Sequence, residues 1–182
     1  MTVRAAQAGD VCLLLVPSRP ATPEVNAFLE GLRREFGGRI VEPLHVTIDR
    51  IGAVDTDDIV PAIRECLPRL RRAAIRANDM FVLRSEYRGA DVLKLDVARD
   101  EALDHDIDVL RAALRLARLQ PMYGDEHSMT VTALERIERH ASLDAAAGLP
   151  TDLFVGDTIL VSRILGVGRY EILDSASMSM SG

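Results

Sequence analysis

The 182-residue sequence contains no tryptophan and only two cysteines, and aromatic residues make up only 4% of it. Cys12 and Cys66 have no partner pattern for a disulfide framework or a zinc site, so we expect free thiols in a reducing compartment. No apolar run approaches the roughly 20 residues that cross a bilayer. The sequence therefore excludes a membrane span, gives no sign of a secretory signal, and predicts a cytoplasmic protein.

Positive charge is also scarce. The chain has 22 basic and 28 acidic residues, a net charge of −6, and a single lysine, Lys94. Because long polyanions need a basic footprint, long DNA is not an expected partner, although a local cleft can still attract a small phosphate-bearing ligand. The sequence has no glycine-rich phosphate loop followed by a helix, and nothing in it requires a metal or another cofactor.

Hydrophobic periodicity predicts an α+β fold, with one domain over residues 1–177 and a flexible tail at 178–182. The apolar stripe and the acid-to-base charge order are clearest in the helix predicted over 100–119. Pro68 is expected to kink or end the helix before it. The predicted strands are 10–17, 39–51, 73–88, 91–98, 127–134, 152–164 and 169–177, and the predicted helices are 23–36, 55–72, 100–119 and, more weakly, 135–148.

One predicted strand carries a pattern with chemical potential. Period-two alternation places His45, Thr47 and Asp49 on one face and Arg50 on the core face. An imidazole beside a hydroxyl suits a phosphoryl centre, because the imidazole exchanges protons near neutral pH and the hydroxyl donates to a non-bridging oxygen. The same pattern also fits a surface strand with a polar outer face.

A related pattern lies 82 residues further on, but its spacing differs. His127 precedes Thr130 by three positions rather than two, so regular alternation places Ser128, Thr130 and Thr132 on the groove face and turns His127 away. A β-bulge at 127–128 would re-aim the imidazole into the groove. Otherwise Ser128 stands opposite His45. The sequence leaves both arrangements open.

The element order and the segment Pro43-Leu-His-Val-Thr-Ile48 resemble the two-histidine (2H) phosphoesterase superfamily, which includes 2′-5′ RNA ligases and cyclic phosphodiesterases. The resemblance implies two pseudo-symmetric lobes, each an antiparallel sheet with outer helices, around a central cleft. It also implies metal-independent hydrolysis of a phosphodiester. His45 and His127 would then be the catalytic acid and base, and Thr47, Thr130 and Ser128 would hold phosphate.

These observations lead to two functional hypotheses. The first is a phosphodiesterase acting on a 2′,3′-cyclic phosphate or a 2′-5′ linkage of an RNA end or small nucleotide, with a monomer favoured. The second is a nucleotide-binding module of the same fold with impaired catalysis, which the spacing at His127 motivates. A purely structural domain would bind no nucleotide.

Overall fold

The computed structural model describes residues 4–124, 127–139, 148–167 and 169–178. It contains three α-helices and ten strands in these ranges, which confirms an α+β fold with antiparallel sheets. The helices are α1 (Pro23–Phe36), α2 (Thr56–Cys66) and α3 (Glu101–Leu116). The strands are β1 (Asp10–Val16), β2 (Arg39–Ile40), β3 (Val46–Ala53), β4 (Ala73–Ile75), β5 (Ala77–Ser85), β6 (Ala90–Val97), β7 (Thr130–Glu135), β8 (Phe154–Gly156), β9 (Thr158–Gly166) and β10 (Arg169–Ser177).

Most strands form one antiparallel path in the order β10–β9–β1–β3–β7–β6–β5, with β2 paired to β7 and a separate pair β4–β8. The path divides into a first strand group, β10–β9–β1–β3, and a second strand group, β7–β6–β5. In the part of the chain that the structure describes, the strand pairing between the two groups is limited to Val46 of β3 and Val131 of β7. Both valines are fully buried, so the two strand groups join within the hydrophobic core.

The helices form as their sequences predict and cover the apolar side of the strands. Thr22 caps α1 through its hydroxyl, and Asp100 caps α3 by accepting from two backbone amides. Each helix buries one apolar stripe, and α2 packs against α3. Within the described ranges, no helix combines the length and apolarity needed to cross a bilayer.

Several predicted boundaries were wrong where proline or a change of sheet interrupts the pattern. Pro43 lies in the break between β2 and β3, since it cannot donate to a ladder. The helix predicted over 55–72 ends at Cys66, and a 3₁₀ turn at Leu67–Arg69 follows, which confirms the expected helix end at Pro68. The strand predicted over 73–88 is two strands, β4 and β5, that belong to different sheets.

The segments that flank the last strands also differ from prediction. Glu135 ends β7 and residues 136–139 are not helical, while 140–147, which include His140, lie outside the described residues. Met178 was assigned to the tail, yet it is buried and its amide donates to the carbonyl of Asp157 at 2.8 Å. The closing hairpin β9–β10 is confirmed.

Candidate active site

A cavity of about 230 Å³ opens between the two strand groups. The first group contributes polar and charged residues from β3, and the second contributes Lys94 from β6 and residues of the β5–β6 turn. Among the described residues, arginine and lysine line it but aspartate and glutamate do not, so the lining is cationic although the whole chain is acidic. The lining residues are Ala6, Cys12, Leu14, His45, Thr47, Arg50, Ser85, Tyr87, Arg88, Val92, Lys94, Tyr123, Thr132, Ser162, Ile164 and Tyr170.

His45 lies half-buried at the start of β3 with its ring fixed by the backbone. Its Nδ1 lies 2.8 Å from the carbonyl oxygen of Pro43, so Nδ1 carries the proton and donates it. Nε2 is then the unprotonated nitrogen of the neutral ring. Burial, followed by the charges of Arg88 and Lys94, holds the pKa of His45 below 6.5 despite the opposing bond to Pro43. The imidazole is therefore neutral at neutral pH and suited to accept a proton.

A β-bulge in β3 changes which residues after Thr47 face the cavity. Leu13 of β1 pairs with Asp49 and Leu14 pairs with Thr47, so Ile48 is an extra residue in β3. One extra residue reverses the faces of the residues that follow it, here Asp49 to Ile51, before a second register shift at Gly52. The prediction that Asp49 shares the face of His45 was therefore wrong, as was the prediction that Arg50 points into the core.

Asp49 is instead a buried structural carboxylate. It accepts from Arg111 Nε at 2.8 Å and from the backbone amides of Met122 at 2.9 Å and Tyr123 at 3.0 Å. These bonds tie β3 to α3 and to the segment that leads to β7. Asp49 therefore does not line the cavity itself, but it holds the backbone of Tyr123, which does.

The second strand group does not present the residues that the sequence favoured. His127 and Ser128 lie before β7 begins, and neither is among the residues that line the cavity. The His127 ring stacks on Tyr123 with centroids 3.8 Å apart, and the Ser128 hydroxyl donates to Asp96 at 3.3 Å. The structure thus brings neither side chain opposite His45.

The register of β3 and β7 shows which positions correspond. Antiparallel strands are related by a local two-fold axis between opposed residues, here Val46 and Val131. That axis takes His45 to Thr130 and Thr47 to Thr132. Thr132 lines the cavity, and Thr130 accepts a hydrogen bond from Lys94 Nζ at 3.0 Å.

Two of the three cations that line the cavity have carboxylate partners. Arg88 pairs with Glu135, and Arg50 Nε lies 3.7 Å from Asp10 Oδ2 and has no hydrogen-bond partner. Lys94 is paired with no carboxylate among the described residues, and burial lowers its pKa below 10.5, with Arg88 adding to the effect.

All three tyrosines of the chain line this cavity. Tyr87 donates its hydroxyl proton to the carbonyl of Gly166 at 2.8 Å, which joins the β5–β6 turn to the β9–β10 turn. Tyr170 is 43% exposed on β10. Burial raises the pKa of Tyr123 to about 12 and that of Cys12 to about 11, so both stay protonated at neutral pH.

Among the residues that the structure describes, no three or more His, Cys, Asp or Glu side chains converge. Cys12 and Cys66 form no disulfide within the described part of the chain.

Comparisons with known proteins agree with this architecture. Residues 15–89 match the family described as LigT like phosphoesterase, a segment that includes His45 and Thr47 and ends before Lys94. The fold is that of the LigT-like 2H phosphoesterases, so the resemblance predicted from the sequence is confirmed. None of the curated proteins matches the chain.

Among solved structures, Escherichia coli LigT complexed with NADP+ superposes with a TM-score of 0.59 at 12% identity, covering 96% of this chain and 100% of LigT. LigT complexed with 3′-AMP gives 0.60 at 14% identity with the same coverage. The Thermus thermophilus protein TT0787 gives 0.62 at 18% identity, covering 95% of this chain and 100% of that protein.

Sequence reasoning placed Thr132 on the groove face but missed Arg50, Arg88 and Lys94 as cavity residues. The rarity of lysine is a signal that singles out Lys94. Arg50 gives no such signal, because its orientation depends on the bulge at Ile48.

Proposed function

We propose that this protein is a phosphodiesterase that opens a 2′,3′-cyclic phosphate, or cleaves a 2′-5′ linkage, at an RNA end or in a small nucleotide. The observation that carries the proposal is His45 beside Thr47 in a cationic cavity, with the imidazole neutral and Nδ1 committed to Pro43. Nε2 then accepts the proton of an attacking water, and Thr47 and Thr132 donate to the phosphoryl oxygens.

The lining favours a nucleotide rather than another phosphoester. Its volume of about 230 Å³ is below the ~300–1,000 Å³ of drug-sized sites, which suits a phosphate and a sugar with the base nearer the rim. Tyrosine rings offer stacking faces to a base, and Tyr170 is the most exposed of the residues in position to do so. The complexes of LigT with NADP+ and 3′-AMP support the same ligand class.

The test uses 2′,3′-cyclic AMP with product measured by chromatography. His45→Gln should lower kcat by about 10²–10⁴, the usual contribution of one proton-transfer group. The matched control is His105→Gln, since His105 is an exposed histidine on α3 and should leave the rate unchanged. Unchanged turnover by His45→Gln would contradict the proposal.

One observation favours a second candidate function. Because His127 does not line the cavity, the site lacks a second imidazole among the described residues. A nucleotide-binding protein without turnover would fit that arrangement. Isothermal titration with 3′-AMP beside the product assay decides between them: binding without product formation supports the second candidate.

A further inference from the structure

The proposed reaction needs a proton donor for the leaving ribose oxygen, because His45 is set up as the acceptor. We propose that Lys94 is this general acid, so that the chain pairs one imidazole with one ammonium. The inference rests on the proposed function and adds a catalytic residue to it.

Position is the first argument. Lys94 lies on β6 directly opposite Thr132 of β7, and its Nζ bonds to Thr130 Oγ1 at 3.0 Å. Thr130 occupies the place that corresponds to His45 about the Val46–Val131 pair. The ammonium is therefore held beside the point where a second imidazole would stand, on the strand group opposite His45.

Chemistry is the second argument. Lys94 is the only lysine among 22 basic residues, so the remaining 21 are arginines, and it lies in the cavity. Arginine binds phosphate well but does not release its proton in proteins. A lysine ammonium can donate a proton and recover it, and burial beside Arg88 makes its release easier.

The other groups that line the cavity are less suited to donate. The hydroxyl proton of Tyr87 is committed to a backbone carbonyl of the β9–β10 turn. Tyr123 and Cys12 hold their protons more firmly than usual, with pKa values raised by burial to about 12 and about 11. Tyr170 is exposed on β10, whereas Lys94 is largely buried opposite Thr132 within the second strand group.

The step balances without a further reactant. Water attacks phosphorus of the cyclic phosphate, and His45 Nε2 takes one proton from it. As the new P–O bond forms, the bond from phosphorus to one ribose oxygen breaks, and Lys94 Nζ gives that oxygen a proton. The products are a phosphomonoester and a free ribose hydroxyl, and solvent returns the proton from the imidazolium to the amine.

The test compares Lys94→Met and Lys94→Arg on two substrates. With 2′,3′-cyclic AMP, both variants should lose about 10²-fold or more in kcat, because Arg keeps the charge but cannot donate. With thymidine 3′-(4-nitrophenyl phosphate), whose leaving group needs no proton, Lys94→Arg should stay within about fivefold of wild type.

Each other outcome overturns the assignment. Recovery of cyclic-phosphate turnover in Lys94→Arg, or equal losses of Lys94→Arg on both substrates, would make Lys94 a phosphate-binding group. If turnover depends on His45 but survives Lys94→Met, the general-acid role of Lys94 is rejected and the proposed phosphodiesterase activity stands. If the wild-type protein turns over neither substrate, both the role of Lys94 and the proposed phosphodiesterase activity are contradicted. If the wild-type protein turns over only the cyclic phosphate, the comparison of Lys94→Met with Lys94→Arg on that substrate decides. Equal large losses support the general acid, and recovery in Lys94→Arg contradicts it.

Discussion

The two strand groups present different chemistry at corresponding places. In the first, His45 directly precedes β3, and the residue that pairs with Thr47 on the neighbouring strand is Leu14. In the second, β7 supplies Thr130, and the residue that pairs with Thr132 is Lys94. The first strand group thus carries its basic side chain, His45, beside Thr47 in one segment. The second carries Lys94 on β6, the neighbour of the strand that holds Thr130 and Thr132. The cavity thus combines a residue of a linear motif, His45, with Lys94, which only strand pairing brings to it.

The largest effect should come from the carboxylate that supports the first group. Asp49→Ala breaks a buried ion pair with Arg111 and removes the acceptor of two backbone amides, and breaking a buried pair typically costs about 3–5 kcal/mol of unfolding free energy. Urea denaturation followed by circular dichroism measures it. The control is Asp152→Ala, whose ion pair with Arg76 is half-exposed, so its denaturation midpoint should hardly change. Similar midpoints for the two variants would show that Asp49 is no structural anchor.

The two threonines give the next comparison. If both donate to phosphoryl oxygens, Thr47→Val and Thr132→Val should each lower kcat on 2′,3′-cyclic AMP by about 10²-fold, as loss of one oxyanion donor does. Thr151→Val, an exposed loop position, is the control. A loss confined to Thr47→Val would mean that the second strand group binds phosphate through other residues.

The smallest effect is expected at His127. Its ring stacks on Tyr123 outside the cavity lining, so His127→Gln should change kcat/KM by no more than about threefold. Steady-state kinetics beside His45→Gln measures the contrast. A drop as large as that of His45→Gln would return His127 to the catalytic role that the sequence first suggested.

Much of this structure could be predicted from sequence patterns. Helix caps, apolar stripes and the alternation around His45 are local, so α1, α3 and the start of α2 were predicted close to their positions. The orientation of Asp49 and Arg50 was not, since it depends on an extra residue at Ile48 that alternation does not reveal. Lys94 was missed for a related reason, because its place opposite Thr132 depends on pairing between distant strands. The roles of His45, Thr47, Thr130, His127 and Ser128 remain predictions.

The junction between the strand groups has a mechanical consequence. The β3–β7 ladder is one residue pair wide, and β7 then continues along β2. A ladder this narrow supplies few backbone hydrogen bonds between the groups, so packing of the fully buried Val46 and Val131 and the bond from Tyr87 to Gly166 also hold the groups together. We therefore expect these two isopropyl groups to help set the separation of the strand groups at this crossing, and with it the width of the cavity between them.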